Sequence, residues 1–244
     1  YSYTNWRSLK NDLLGTKMRI TMTGGSGMLG QEILKLDPAI DAPSRSQMDV
    51  TNLERLEREL YYFHPDIVLH LAADTDCLIH NSQPERGITS NIIGTANIAL
   101  VCLQSNIRLV YVSTDYVYQG PGPHKEDEPV RPPYNFGWSK LGGECSVIMV
   151  PNSLILRLSF GPRPFPWEKV YGGQINSKLY VDEIAPLVLK ATKSTATGVM
   201  NLGGDRTTLT EYARRTKPDI ETIPTPNWVH KDTSLDLTRM ENEL

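Results

Sequence analysis

The chain has 244 residues, of which 39% are hydrophobic and 22% are charged, and its formal net charge is −3. This composition is that of an ordinary soluble globular protein, large enough for one α/β core and a small appended lobe. The weak charge gives no electrostatic basis for binding nucleic acid or an anionic membrane, and no apolar run reaches the ~20 residues of a membrane-spanning helix.

The first residues of the chain and its cysteines indicate the cellular compartment that we expect. Residues 1–17 are polar and lack the apolar core of a signal peptide, and the first residue is Tyr1 rather than Met, so we expect a trimmed sequence. The cysteines are odd in number and lack metal-ligand spacing, and the histidines are scattered; the cysteines are Cys77, Cys102 and Cys145. We therefore expect reduced thiols, a cytoplasmic location and no metal site.

Short apolar runs alternate with helical stretches from Lys17 to about Leu158, which predicts a parallel sheet with crossover helices. The predicted strands are 18–23, a short one near Ile40, 66–73, 108–114, 153–158, 179–181 and 198–202. The predicted helices are 28–36, 53–60 with Thr51 or Asn52 as the cap, about 84–104, and 182–193. We predict a Rossmann-type, doubly wound parallel sheet in a dinucleotide-binding domain over 17–159. A small C-terminal substrate-binding lobe over 160–244 is interleaved with it, because strands and helices return from the lobe to the sheet.

A glycine-rich turn joins the first predicted strand to the first helix. Its sequence is Thr23-Gly24-Gly25-Ser26-Gly27-Met28-Leu29-Gly30. Glycines allow a tight turn and a close approach of the backbone to a pyrophosphate, and the helix N-terminus offers free N–H groups. This context predicts a dinucleotide site, with contacts from Gly24, Gly27, Met28, Leu29 and Gly30.

The choice of nicotinamide cofactor depends on the segment Asp41-Ala42-Pro43-Ser44-Arg45-Ser46. An acidic residue there would hold a ribose diol, whereas an arginine would meet a 2′-phosphate. Ser44 and Arg45 flank the expected position better, which favours NADP(H) and leaves NAD(H) possible. Further cofactor contacts are predicted beside the adenosine, from Asp49, Val50, Leu71, Ala72 and Ala73.

Several separate stretches, in order, resemble the extended short-chain dehydrogenases/reductases, and within them the dTDP-4-dehydrorhamnose reductase group. They are the glycine turn, His70-Leu71-Ala72-Ala73, Ser113-Thr114-Asp115-Tyr116-Val117-Tyr118, Gly137-Trp138-Ser139-Lys140-Leu141-Gly142-Gly143-Glu144, Arg157-Leu158-Ser159-Phe160-Gly161, 179–185 and 201–204. The resemblance implies hydride transfer from NAD(P)H to a keto carbon of a nucleotide-linked sugar. It also implies a catalytic set of Thr or Ser, Tyr and Lys.

Carried onto this chain, the resemblance makes Thr114 the hydroxyl that binds the substrate oxygen and Lys140 the group that holds the nicotinamide ribose. The family's tyrosine lies one helical turn before the lysine, where this chain has Phe136. Phe136 is an engineered exchange, a natural loss or rerouting of the proton, or a position replaced by another phenol, of which the candidates are Tyr116, Tyr118 and Tyr134. We expect an NADPH-dependent reductase of a nucleotide-linked 4-keto-6-deoxysugar, impaired by Phe136. The alternative is a non-catalytic, cofactor-binding subunit of the same fold.

The substrate contacts are the least defined part of the sequence. Between Phe160 and Tyr180 the chain is shorter than is usual in the family that it resembles. The candidates for contact with a nucleotide-linked sugar are Asp115, Tyr116, Arg163 and Trp167, although the stretch that contains the last two is equally consistent with a proline-stiffened surface loop. The assembly is left open, with a homodimer as one option.

Overall fold

The computed structural model describes residues 18–226 and 229–244, so the polar stretch 1–17 lies outside the described residues. Five strands of this part of the chain form one parallel sheet. Their order is β1 (Ile20–Thr23), β2 (Ile67–His70), β3 (Arg108–Val112), β4 (Leu154–Leu158) and β9 (Gly198–Leu202). All carboxyl ends therefore meet at one edge of the sheet, where ligands collect in open α/β folds.

Helices cover both faces of this sheet. One face carries α1 (Met28–Leu36) and α6 (Val181–Lys193), and the other carries α2 (Leu53–Phe63), α4 (Pro84–Ser105) and α5 (Asn135–Val147). A short helix α3 (Ile79–Ser82) precedes α4. The strand residues alternate between the two cores, since Leu69 packs beneath α1 and α6 whereas Val68 packs beneath α2 and α4. The predicted Rossmann-type, doubly wound sheet is confirmed.

The predicted short strand near Ile40 is wrong as a strand. The segment forms one isolated parallel bridge between Thr21 and Asp41, in which the Asp41 N–H donates to the Ile20 carbonyl at 3.0 Å. The next N–H of a parallel ladder would belong to residue 43, which is a proline and has none. The bridge nevertheless holds the following loop against the edge of β1.

The lobe consists of three short strand pairs around a small apolar cluster. The pairs are β5 (Phe160–Gly161) with β8 (Leu179–Tyr180), β6 (Lys169–Gly172) with β11 (Glu221–Pro224), and β7 (Ile175–Asn176) with β10 (Thr207–Thr208). The cluster comprises Phe165, Val170, Tyr180, Tyr212, Ala213 and Ile220. Helices α7 (Leu209–Arg214) and α8 (Thr238–Glu243) complete the described chain. The chain returns to the sheet through α6 and β9. The lobe lies at the carboxyl ends of β3 and β4.

Helix α4 is long and apolar. Its 22 residues, from Pro84 to Ser105, meet the length and composition of a membrane span, but 44% of the apolar window is buried against the rest of the protein. A core helix of a soluble protein meets the same criteria. Its second turn is a π-helical stretch, Ile88–Ile93, and such stretches are frequent at functional sites.

Candidate active site

The glycine turn packs tightly against the end of β2. Gly24 has φ +74°, and a Cβ there would lie 2.7 Å from the backbone nitrogen of Ala72. A Cβ on Gly30 would lie 2.5 Å from the Gly24 carbonyl oxygen. Gly27 is the N-cap of α1, so no capping side chain occupies the helix N-terminus, and the turn at Gly27 and Met28 is exposed. The backbone N–H groups of this end are therefore placed for a pyrophosphate, and Leu29, whose side chain is buried, would contribute only its N–H.

The loop after the isolated bridge lies beside this turn, because a Cβ on Gly25 would meet the Ala42 Cβ at 2.7 Å. Ser44 follows closely, exposed and hydrogen bonded to Gln47. The Arg45 side chain is 83% exposed, and its Nε lies 3.4 Å from the Asp49 carboxylate. Two shorter bonds from the Thr51 N–H and hydroxyl, at 2.9 and 2.8 Å, fix that carboxylate and contribute most of the lowering of the Asp49 pKa.

Four of the remaining predicted cofactor residues lie at the end of β2 or beneath α4. Leu71, Ala72 and Ala73 are partly exposed where β2 ends, directly behind Gly24. Val50 is buried under α4, and its backbone carbonyl accepts a hydrogen bond from the Asn97 amide at 2.9 Å. The glycine turn, the loop that carries Ser44 and Arg45 and the end of β2 thus lie next to one another at the carboxyl edge of the sheet.

Lys140 is buried beside β3. Its Nζ lies 4.2 Å from the centroid of the Tyr111 ring, and its side chain is only 4% exposed. Burial lowers the Lys140 pKa to about 7, although the charge of Glu144 acts in the opposite direction. Arg157 pairs with Glu144 at 2.7 Å, and the Ser113 hydroxyl donates to the same carboxylate, so little of its negative charge is left to hold the proton on Lys140.

Thr114 lies just after the carboxyl end of β3. Its hydroxyl oxygen accepts the N–H of Tyr116 at 3.2 Å and donates to the Asp115 carboxylate at 3.1 Å. The single helical turn Asp115–Val117 begins there and packs against the start of α5, since a Cβ on Gly137 would collide with the Tyr116 carbonyl. The end of β3 and the start of α5 therefore form one unit.

Phe136 occupies the first turn of α5 and is 7% exposed. Its ring meets the Tyr116 ring edge-on at 6.4 Å between centroids and the His80 ring at 5.7 Å. The Tyr118 hydroxyl donates to Asn201 at 2.9 Å and accepts from Arg157, and both bonds tie it to the core. Of the three phenols considered as replacements, Tyr118 is therefore unsuitable, because its hydroxyl is held by Asn201 and Arg157.

Tyr116 and Tyr134 both contact His230, and Tyr116 also contacts Phe136. The Tyr116 ring stacks on His230 at 5.3 Å, and the Tyr134 ring meets it edge-on at 5.2 Å. Burial, and after it the charge of Asp115, raise the Tyr116 pKa. A phenol that is harder to ionise is a poorer replacement for one whose pKa a neighbouring lysine would lower.

A cavity of about 470 Å³ opens between the carboxyl edge and the lobe. Three of the predicted substrate residues line it, namely Asp115, Tyr116 and Trp167. Arg163 is not among its lining residues, because its guanidinium pairs with Asp182 at 2.9 Å and Glu183 at 2.6 Å on α6. The side chains that the sequence did not single out as substrate contacts include Gln174, Lys178 and Thr233.

Asn91 is a further residue that sequence patterns missed. It is fully buried in the π-helical stretch, and its amide donates to the Ser139 hydroxyl and to the Asp74 carbonyl, both at 2.9 Å. The Ser139 hydroxyl in turn donates to the Phe136 carbonyl at 2.7 Å. Asn91 therefore fixes the turn that presents positions 136 and 140, and only the three-dimensional contact across 48 residues reveals it.

Residues 18–161 match the family described as "RmlD substrate binding domain". The chain belongs to this family. The extended short-chain dehydrogenase/reductase resemblance is thereby confirmed, and the match covers the glycine turn together with Thr114 and Lys140.

The chain is similar to curated relatives over part of their length. It is 34% identical over 157 residues to the probable low-salt glycan biosynthesis reductase Agl14 of Haloferax volcanii, covering 57% of this chain and 52% of the relative. It is 33% identical over 138 residues to dTDP-4-dehydrorhamnose reductase of Streptomyces griseus, covering 54% and 45%. It is 27% identical over 142 residues to methionine adenosyltransferase 2 subunit beta of Rattus norvegicus, covering 53% and 42%. The chain thus spans about half the length of these relatives.

Among solved structures, the fold is similar to that of dTDP-4-dehydrorhamnose reductase from Bacillus anthracis in complex with NADP. The TM-score is 0.84 at 22% identity, and the alignment covers 93% of this chain and 92% of the other. At this identity the likeness establishes the fold, which agrees with the parallel sheet and the two helical layers described above.

Proposed function

We propose that this protein is an NADPH-dependent reductase of a nucleotide-linked 4-keto-6-deoxysugar, slowed by Phe136. The observation that carries the proposal is the placement of two buried side chains, Thr114 just after β3 and Lys140 against Tyr111 of β3. The glycine turn lies at the end of β1, and the cavity begins at Asp115. A ketone held by the Thr114 hydroxyl would face a nicotinamide whose ribose Lys140 holds. The names of the relatives that are reductases, and the NADP complex of a structural neighbour, support this assignment.

NADP(H) is the favoured cofactor in this proposal. Arg45 is exposed beside the glycine turn and holds Asp49 only loosely, at 3.4 Å, so its guanidinium is free to turn to a 2′-phosphate. The three cysteines are free thiols, which supports a cytoplasmic location. The substrate would occupy the cavity, with its nucleotide towards Trp167.

The reaction needs a proton as well as a hydride. In the proposed reductase, Phe136 cannot pass one, and loss of a positioned general acid typically slows a reaction ~10²–10⁴-fold. The test is turnover of a panel of nucleotide-linked 4-keto-6-deoxysugars with NADPH by the parent protein, which has Phe136, and by Phe136→Tyr, followed by loss of NADPH fluorescence. Phe136→Tyr should be faster by ~10²-fold or more. Equal inactivity of both proteins, with normal NADPH binding, would refute the reductase.

A non-catalytic subunit is the second candidate. Phe136 favours it, and so does the similarity to a protein named as the beta subunit of another enzyme. This candidate predicts normal NADPH binding, no turnover by either form, and a partner enzyme whose kinetics change on addition of the chain. Turnover by Phe136→Tyr alone would separate the two candidates.

A homodimer is part of the proposal as well. Large apolar side chains are exposed on the neighbouring helices α4 and α5 and just after α5. They are Ile93, Leu100 and Leu103 on α4, Trp138 on α5, and Ile148 and Met149 after it. Exposed apolar side chains on adjoining elements are typical of an interface between subunits. Leu100→Glu should convert the dimer to a monomer in analytical ultracentrifugation, whereas Tyr62→Glu, an exposed position on α2, should not. A monomeric parent protein would contradict the homodimer.

A further inference from the structure

The Thr114 hydroxyl is hydrogen bonded to the carboxylate of the neighbouring residue, Asp115. The Asp115 carboxylate is 2% exposed, yet it borders the cavity in which the proposed substrate would lie. One of its oxygens accepts the Thr233 hydroxyl at 2.8 Å, and the other accepts the Thr114 hydroxyl at 3.1 Å. The carboxyl group is therefore held in one orientation, directed at the hydroxyl that would bind the substrate oxygen.

We propose that Asp115, acting through the Thr114 hydroxyl, supplies the proton that a phenol at position 136 would otherwise supply. This inference rests on the proposed reductase function. It makes Asp115 a proton donor of the reaction and not only a contact to the sugar.

The hydrogen bonds of Thr114 allow this transfer without any movement of the backbone. When Asp115 is ionised, the Thr114 hydroxyl donates to it. When Asp115 is protonated, the bond reverses, and the Thr114 oxygen accepts from both Asp115 and the Tyr116 N–H. Its own proton is then free to point at the substrate oxygen, and all positions around the hydroxyl oxygen are filled.

Burial, and not the neighbouring charge, brings Asp115 towards its protonated form, so a fraction of the protein carries this proton near neutral pH. Burial raises the Asp115 pKa to about 6, against the Thr233 hydrogen bond and the positive charge of Lys178. The other titratable groups that face it are Cys77 and Tyr116, whose pKa values burial and then the Asp115 charge raise, so both stay neutral. Burial lowers the Lys178 pKa, so its ammonium is a stronger acid than that of an exposed lysine.

The reaction then balances as follows. When bound, NADPH would supply a hydride that forms a C–H bond at the keto carbon, and the C=O π electrons would move to the oxygen. The Thr114 hydroxyl gives its proton to that oxygen and takes one from Asp115, which is left as a carboxylate. The products are the alcohol and NADP⁺, and solvent or Lys178 returns a proton to Asp115.

The test is a double-mutant cycle of Asp115→Asn and Phe136→Tyr, because asparagine keeps the size of the side chain and cannot donate a carboxyl proton. In the parent protein, which has Phe136, Asp115→Asn should lower kcat ~10²-fold with NADPH affinity unchanged. With tyrosine at position 136 the same change should cost less than about threefold, since the phenol supplies the proton. The parent protein should also lose activity as pH rises above about 6, and Phe136→Tyr should not.

Three outcomes would contradict the inference. Equal costs of Asp115→Asn in both backgrounds would make the carboxylate a structural group and overturn the inference. If Phe136→Tyr is active and the parent protein is inactive, the inference is overturned while the proposed reductase stands. Inactivity of Phe136→Tyr on every sugar nucleotide would remove the reductase and this inference together. Thr233→Val removes a hydrogen bond that lowers the Asp115 pKa, so this variant should raise the apparent pKa of the profile.

Discussion

The Lys140 ammonium lies 4.2 Å from the centre of the Tyr111 ring, in a site with almost no exposure to water. A cation is stabilised by the face of an aromatic ring, but here the loss of hydration is larger, since the Lys140 pKa falls to about 7. The folded protein therefore holds a lysine that is ready to lose its proton, at the position where the proposed cofactor would bring its ribose hydroxyls.

The stability of the protein should record this burial. Between pH 7 and about 10 the unfolded chain keeps a proton on Lys140 that the folded protein has released, so the free energy of unfolding should rise with pH in this window. Lys140→Met should be at least as stable at pH 7 and should lose that part of the rise. Urea unfolding at pH 7 and pH 9 measures both effects.

Lys35→Met is the matched control, because Lys35 is an exposed lysine whose ammonium pairs with Glu32 at the surface. It should leave the pH dependence unchanged. Lys140→Met should also weaken NADPH binding by about 10-fold, if it removes one charged hydrogen bond to the ribose. The same pH slope in the parent protein and in Lys140→Met would contradict the burial of a charged group at this position.

Local sequence patterns were sufficient for the framework of the fold. The bounds of α1 (28–36) and β9 (198–202) coincide with the predicted ones because each has a clear periodicity and a glycine at its start. The strand near Ile40 failed because one proline interrupts its ladder after a single bridge. The pattern of apolar side chains predicts a strand, but it does not show whether each backbone N–H of the ladder is present.

The site required contacts between distant parts of the chain. The glycine turn, Thr114 and Lys140 follow from short stretches that fold locally. The bond between Thr233 and Asp115 spans 118 residues, and the bond between Asn91 and Ser139 spans 48. Neither leaves a local pattern in the sequence, which is why both the support of α5 and the surroundings of the acid were missed.

The close packing of the glycine turn gives a prediction with an internal control. Gly24→Ala would place a Cβ 2.7 Å from the Ala72 nitrogen on a backbone with φ +74°, so both strain and collision oppose it. We expect a loss of stability of about 2–4 kcal/mol and a large loss of NADPH affinity.

Gly173→Ala separates strain from collision. Gly173 has φ +88°, but nothing lies within 4 Å of the position of its Cβ. This variant should lose only about 1 kcal/mol and bind NADPH normally. Thermal unfolding and fluorescence titration of both variants are the measurements, and equal losses would show that packing against Ala72 has no part in the turn.

The loop beside the glycine turn determines the cofactor preference that we expect. Arg45 reaches into solvent from a position next to the turn, and its bond to Asp49 is long enough to be exchanged for a phosphate. Arg45→Ala should therefore weaken NADPH binding ~10-fold or more while leaving NADH binding nearly unchanged. Arg58→Ala, an exposed arginine on α2 that pairs with Glu59, is the control and should alter neither. Equal affinities of the parent protein for the two cofactors, measured by fluorescence titration, would assign Arg45 to the solvated surface and remove the preference for NADPH.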